Sequence, residues 1–171
     1  MGSMRLPPAR ALARPALIGA ATGSRSFTGL AALALATPAS AATQPDLTLG
    51  KSWVKALVTS GALGELVADQ RPGTPDRLAP RGLTGRVLIA ALTGPIVARR
   101  QWPPRPGDPG PASAGTAAAT AAAVAVGTAL AGAWLGSHWR RVAARHFGRD
   151  WPGAVLEDAA AVSLAGAAVR S

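Results

Sequence analysis

The residues of this chain that could do chemistry are ionisable groups set in or beside apolar stretches. They are Arg25, Glu65, Asp69, Glu157 and Asp158, with Ser26 next to the first. An arginine or aspartate at the centre of an apolar helix costs about 2.5–3.5 kcal/mol to insert into a bilayer. Such groups therefore face a protein interior, pair with one another, or line a polar path. Three readings stay open: interior ion pairs that fix helix register, a route for a solute or ion, or surface groups on segments that do not span. The usual catalytic patterns are missing. His138 and His146 are the only histidines and read as solvated or interfacial side chains of a basic stretch. There is no H-E-x-x-H, no phosphate-binding loop and no G-x-G-x-x-G. Ser24 and Ser26 have no base at a telling spacing, and cysteine is absent altogether. The expectation is no catalytic residue, no metal and no cofactor, hence no enzyme.

The elements that would hold these charges are apolar. Thr116 to Gly136 is 21 residues without charge or proline, with threonine as its only polar side chain. About 20 helical residues cross a bilayer core, and a helix at a water boundary would show a polar face that this stretch lacks. Gly127, Gly132 and Gly136 punctuate it, and the Gly132-x-x-x-Gly136 spacing lets membrane helices approach closely. These positions are the candidate helix-packing residues, and small-residue faces suit a homo-oligomer. The fold class expected is all-α: a polytopic membrane bundle of about five embedded helices, some broken or re-entrant. The segments are 15–36, 52–69, 82–98, 116–138 and 151–169, within a membrane domain of residues 15–171. Residues 1–14 form a basic tail with no expected fold. The first segment reads either as one span with Arg25 in its middle or as two pieces joined at Gly23–Ser26. A second break is expected near Gly94 and Pro95.

Charge and aromatic placement support that division. The chain carries 18 Lys and Arg against 8 Asp and Glu, a net charge of +10. This balance suits nucleic acid or an anionic membrane surface. The arginines fall in short clusters between apolar segments, which is the membrane pattern rather than the basic stripe of a nucleic-acid binder. The partner expected is the lipid bilayer, with no nucleic acid and a solute or ion of unknown type. Trp53, Trp102, Trp134, Trp139 and Trp151 flank the segments, as indole rings do at membrane interfaces. With five spans, the N-terminal side collects 11 basic residues and the other side 6. The positive-inside rule then puts the N-terminus in the cytoplasm and the C-terminus outside. A rival reading is a signal sequence cleaved near Ala41, at Ala39-Ser40-Ala41, releasing a secreted basic protein. Another is an arginine- and serine-bearing transit peptide over the first 45 residues.

Depth selects a partner for Arg25. At about 1.5 Å per residue, Arg25 lies about 15 Å into the first segment. Glu157 and Asp158 lie about 10 Å into the fifth from the same side, and Glu65 only about 6 Å in. Adjacent helical residues point about 100° apart, so one acid of the pair faces Arg25; Asp158 is the closer in depth.

Three pieces of the chain, GSRSFTGLAALALA at 23–36, GALGELVADQRPGTPDRLAPRGLTGR at 61–86 and LEDAAAVSLA at 156–165, carry a resemblance. Together, over roughly residues 15–170, the chain resembles the domain-of-unknown-function family numbered 4126, small uncharacterised bacterial membrane proteins. The resemblance implies an integral inner-membrane protein and supplies no reaction or substrate. The matching positions are Gly23, Arg25, Ser26, Glu65, Asp69, Pro75, Arg77, Gly82, Gly85, Arg86, Glu157 and Asp158, with Pro75, Arg77 and Arg86 as a loop motif. Gln70 stands where the family's acid-lysine-x-proline turn has lysine. The functional expectation is a small transporter or channel component. The alternative is a structural or assembly membrane protein whose charges serve helix packing only.

Overall fold

The computed structural model describes residues 9–68, 79–103, 111–147 and 151–170. All the regular structure in these residues is helical: α1 (Ala9–Ser24), α2 (Ser26–Leu35), α3 (Asp46–Leu49), α4 (Ser52–Ala68), α5 (Pro80–Gln101), α6 (Pro111–Phe147) and α7 (Trp151–Val169). The segments expected from hydropathy are all present, with shifted ends. Helix α1 begins at Ala9, inside the expected tail, and carries Pro15 in its interior. Helix α5 starts at Pro80, where a first-turn proline costs no hydrogen bond. It runs straight through Pro95 to Gln101, so the break expected there does not occur. Close packing holds that stretch: a Cβ on Gly94 would lie 2.7 Å from the Ala121 carbonyl oxygen of α6. Arg99 and Arg100 in the last turn of α5 complement the negative end of its dipole.

The break at Arg25 is real, and it does more than interrupt a span. Arg25 has extended backbone (φ −144°, ψ 113°) between two helices. A Cβ on Gly29 would lie 3.2 Å from Ile18 Cγ1. In a continuous helix, residues eleven apart are separated by about 16 Å along the axis. Helix α2 therefore folds back on α1, and the two make a hairpin with Arg25 at its tip.

The other helices follow from this hairpin. Helix α1 packs against α5, α6 and α7, and α2 against α4, α5 and α7. Gly19 meets Ala125 and Thr128, and Gly23 meets Ala129, so α1 and α6 run in the same direction. Asp158 near the start of α7 reaches Arg25 at 2.6 Å, and Ala168 near its end shares a core cluster with Ile18 and Leu33. Helix α7 thus runs opposite to α1. The start of α1 and the end of α7 lie at one end of the bundle, with the hairpin tip toward the other. Of the two readings of residues 15–36, two pieces joined near Arg25 is the one that forms, so this stretch passes through the bundle twice.

One core cluster holds large aliphatic side chains, Ile18, Leu33, Leu49, Val54, Val58 and Val97, and most of the remaining interior is alanine and threonine, while many large apolar residues lie outside. Buried positions include Ala21, Thr22, Ala90, Thr93, Ala121, Ala125, Ala129, Ala161 and Ala165. Exposed ones include Trp53, Leu57, Leu63, Leu92, Trp134, Leu135, Leu156 and Val162. Among the described residues, one helix is long and apolar enough to cross a membrane, over Ala114–Ala143. Its glycines divide. Gly132 meets the Ala20 backbone, 2.8 Å from carbonyl oxygen to an added Cβ, and Gly136 is buried. Gly127, expected in the same packing set, faces outward with nothing within 4 Å of an added Cβ. The Gly132 end of the Gly132-x-x-x-Gly136 pattern is therefore spent inside the chain, on α1.

This division gives a direct test. Gly23→Leu forces a side chain into the α6 backbone and should cost at least about 1–3 kcal/mol, as overpacking does. Gly127→Leu meets open space and should leave stability within about 0.5 kcal/mol. Thermal unfolding of both purified variants reads the difference; equal losses would remove the α1–α6 contact from this account.

Candidate functional site: the charged tip of the hairpin

The tip begins with a backbone problem. A helix start leaves its first N–H groups without intrahelical acceptors. The residue before α2 is Arg25, which has no side-chain acceptor to cap them. The acceptor comes from another helix. Glu65, late in α4, accepts from Ser26 N–H through Oε1 at 2.9 Å and from Phe27 N–H through Oε2 at 3.0 Å. Its carboxylate also offsets the positive end of the α2 dipole. Gly61, one turn earlier on α4, leaves room for the Phe27 ring, whose nearest carbon would sit 3.0 Å from an added Cβ.

Arg25 itself is 1% exposed. Its Nε donates to Asp158 Oδ1 at 2.6 Å, and Nη2 contacts the same oxygen. The pairing expected from depth, with Asp158 rather than Glu65 or Glu157, is the pairing the structure makes. Glu157, turned about 100° away, is buried and instead takes Arg140 of α6, with Nε to Oε2 at 3.0 Å. Arg86, buried in the second turn of α5, brings Nε to 3.4 Å from Ser26 Oγ. It belongs to a helix interior and not to the loop expected for it. A second arginine cluster lies at the opposite end of the bundle. Arg100 pairs with Asp46 at 2.8 Å and donates to Thr37 Oγ1, and Lys55 donates to the Thr37 carbonyl at 2.7 Å.

The structure thus brings together Arg25, Ser26, Glu65 and Asp158, with Glu157 and Arg86 beside them. Asp69, Pro75 and Arg77 lie outside the described residues. Sequence reasoning missed Arg140 as the partner of Glu157. The signal was available: the two are 17 residues apart, on consecutive helices. It also missed the capping role of Glu65, whose signal was the lack of any capping residue before Ser26. Among the described residues no three His, Asp or Glu side chains converge to hold a metal. His138 stacks on Trp134, with ring centroids 5.6 Å apart. Beside the tip, Ala20, Ser24, Gly132, Gly136, Trp139, Leu156, Glu157 and Ala160 line an apolar groove of about 340 Å³. No family profile, no curated protein and no solved structure matches the chain.

A buried ion pair that loses one partner leaves an uncompensated charge, at a cost of about 3–5 kcal/mol. Arg25→Ala should therefore lower the yield of folded protein sharply, and Arg25→Ala with Asp158→Ala should recover part of it. Size-exclusion yield and unfolding midpoint of the three variants measure the coupling. A double variant no better than the worse single one would mean that the pair contributes nothing specific.

Proposed function

We propose that this chain is a polytopic membrane protein whose buried charges lock a helical hairpin into a bundle. The observation that carries the reading is the outer surface: Trp53, Leu57, Leu63, Leu92, Trp134, Leu135, Leu156 and Val162 are exposed, while alanine and threonine fill most buried positions beside a few large aliphatic residues. In lipid no hydrophobic force separates helix faces, so close approach of small residues and interhelical polar contacts hold bundles together. An exposed apolar surface on this scale marks a membrane or partner contact in any soluble setting. The apolar window of α6 points the same way. Signal cleavage near Ala41 would remove α1 and α2, against which the other long helices pack. The structural role of the charges is favoured because each of Arg25, Glu65, Asp158, Glu157 and Arg140 has a protein partner at the tip.

The transporter or channel reading rests on one observation, the helix break at Arg25, whose first α2 N–H groups meet the Glu65 carboxylate at the charged tip. Broken helices of this kind build substrate sites in transporters. Flux of anions, cations or small solutes through proteoliposomes separates the two readings.

Carbonate-washed membranes should retain the protein, and release into the wash would remove the membrane reading. The chain lacks cysteine, so single cysteines report sidedness. With a hairpin at the tip, Arg10→Cys and Ala42→Cys should react with an impermeant thiol reagent from the same side, and His146→Cys from the other. Opposite sides for Arg10 and Ala42 would restore a single crossing through residues 15–36.

A further inference from the structure

The end of the bundle away from the tip carries positive charge that the fold does not consume. Lys51, Lys55, Arg99, Arg100 and Arg170 stand there, around the start of α4 and the ends of α5 and α7. These three helix ends meet in one core cluster, through Val54, Val97 and Ala168. Asp46 is the one acid at this end among the described residues, and Arg100 takes it at 2.8 Å. Lys55 and Arg99 donate to the backbone carbonyls of Thr37 and Gln44, at 2.7 and 3.0 Å. A carbonyl orients a cation without neutralising it. Lys51 and Arg170 are exposed and have no carboxylate partner among the described residues. At the tip, by contrast, Glu65, Glu157 and Asp158 lie among the arginines. The surroundings of the surplus charge say what would meet it. Trp53, two residues from Lys51, is 61% exposed, and Leu57, one turn on along the same face of α4, is 63% exposed. On α5, Trp102 is exposed three residues after Arg99, and Leu92 is exposed two turns before it on the same face. On both helices cation and indole share the rim, and leucine lies inward of them. That is the order of headgroup, interface and hydrocarbon in a lipid leaflet. A nucleic-acid phosphate track would leave those leucines uncovered. We propose that this rim is a docking surface for anionic phospholipid headgroups, with Lys51, Arg99 and Arg170 as the cations that meet the lipid phosphates. The inference rests on the membrane reading and adds the class of lipid. Each lysine or arginine held near an anionic lipid surface strengthens binding about fivefold.

The full chain, purified in a neutral detergent at low salt, carries the test. Phosphatidylglycerol added to the micelles should raise the unfolding midpoint by about 3 °C more than phosphatidylcholine with the same acyl chains, as ligand linkage implies. Lys51→Gln, Arg99→Gln and Arg170→Gln together should lose most of that difference and keep the midpoint measured in phosphatidylcholine, since all three side chains are exposed. A matched loss of three exposed cations at the tip end, Arg81→Gln, Arg141→Gln and Arg145→Gln, should leave the difference in place. If the first triple variant does not accumulate, Lys51→Gln with Arg170→Gln touches no side-chain bond and gives the same readout with a smaller loss. Glycerol phosphate and a short DNA duplex, at equal phosphate concentration, should shift the parent by less than about 1 °C. Equal gains from the two lipids, a gain that survives the rim variant, or an equal loss in the tip-end variant would each overturn the docking surface. A shift with glycerol phosphate or DNA as large as that with phosphatidylglycerol would overturn the lipid as its partner. Carbonate washing keeps the two failures apart: a parent retained in membranes that shows no preference for phosphatidylglycerol sinks this inference alone, and a parent released by carbonate sinks the membrane reading with it.

Discussion

The reversal at Arg25 is the constraint on which the rest of the bundle depends. One residue in extended conformation turns the chain back on itself and leaves a guanidinium buried and a helix start uncapped. Neither can be left unmet, because an unpaired buried charge or an orphan N–H costs kilocalories. The remedies come from far along the sequence. Asp158 of α7 answers the charge and Glu65 of α4 answers the N–H groups. A local backbone event therefore dictates where two distant helices must sit, and in which rotation about their axes.

Close packing does the remaining work, and it explains a composition that looks unpromising for a core. Helices α1 and α6 touch backbone to side chain at Gly19, Gly23 and Gly132. Threonines are the main polar residues in this interior, and they satisfy themselves. Thr22, Thr37, Thr93 and Thr128 donate their hydroxyls to the carbonyl four residues earlier, at 2.7 to 2.9 Å. Such back-bonding lets a hydroxyl be buried without a partner on another helix. The interior can then be narrow and dry except at the tip and at the Arg100–Asp46 cluster.

Much of this was legible in the sequence, for reasons that differ by element. Apolar length located the long helices, because lengths near a bilayer's thickness leave few other readings. The Arg25–Asp158 pair was legible from depth because helical rise is regular. The reversal itself was not, since Gly23-Ser24-Arg25-Ser26 permits a kink, a loop or a hairpin equally well. Only the contact between Gly29 and Ile18 distinguishes them. Pro95 misled in the opposite direction: proline predicts a break, but packing of Gly94 on α6 overrides it. The tip was legible as a set of charges and not as a set of bonds. Charge pairing across helices depends on rotation, and a sequence alone leaves each helix free to turn.

The tip and the opposite cluster are also two ends of one device. Helix α2 is ten residues long, about 15 Å, too short to be stable alone. Helix α4 runs antiparallel beside it and holds both of its ends. Glu65 accepts from the first N–H groups of α2, and Lys55, ten residues earlier on α4, donates to the Thr37 carbonyl just past its last turn. Ten residues of α4 span the same distance as α2, so the two charges fall at the two termini. Their signs are also correct, an anion at the positive end of the dipole and a cation at the negative end. Arg100 of α5 adds a second cation at that end through Thr37 Oγ1. The short helix is thus defined by charges on its neighbours more than by its own sequence. This is why Phe27 to Leu35, an unremarkable apolar run, takes up so specific a position.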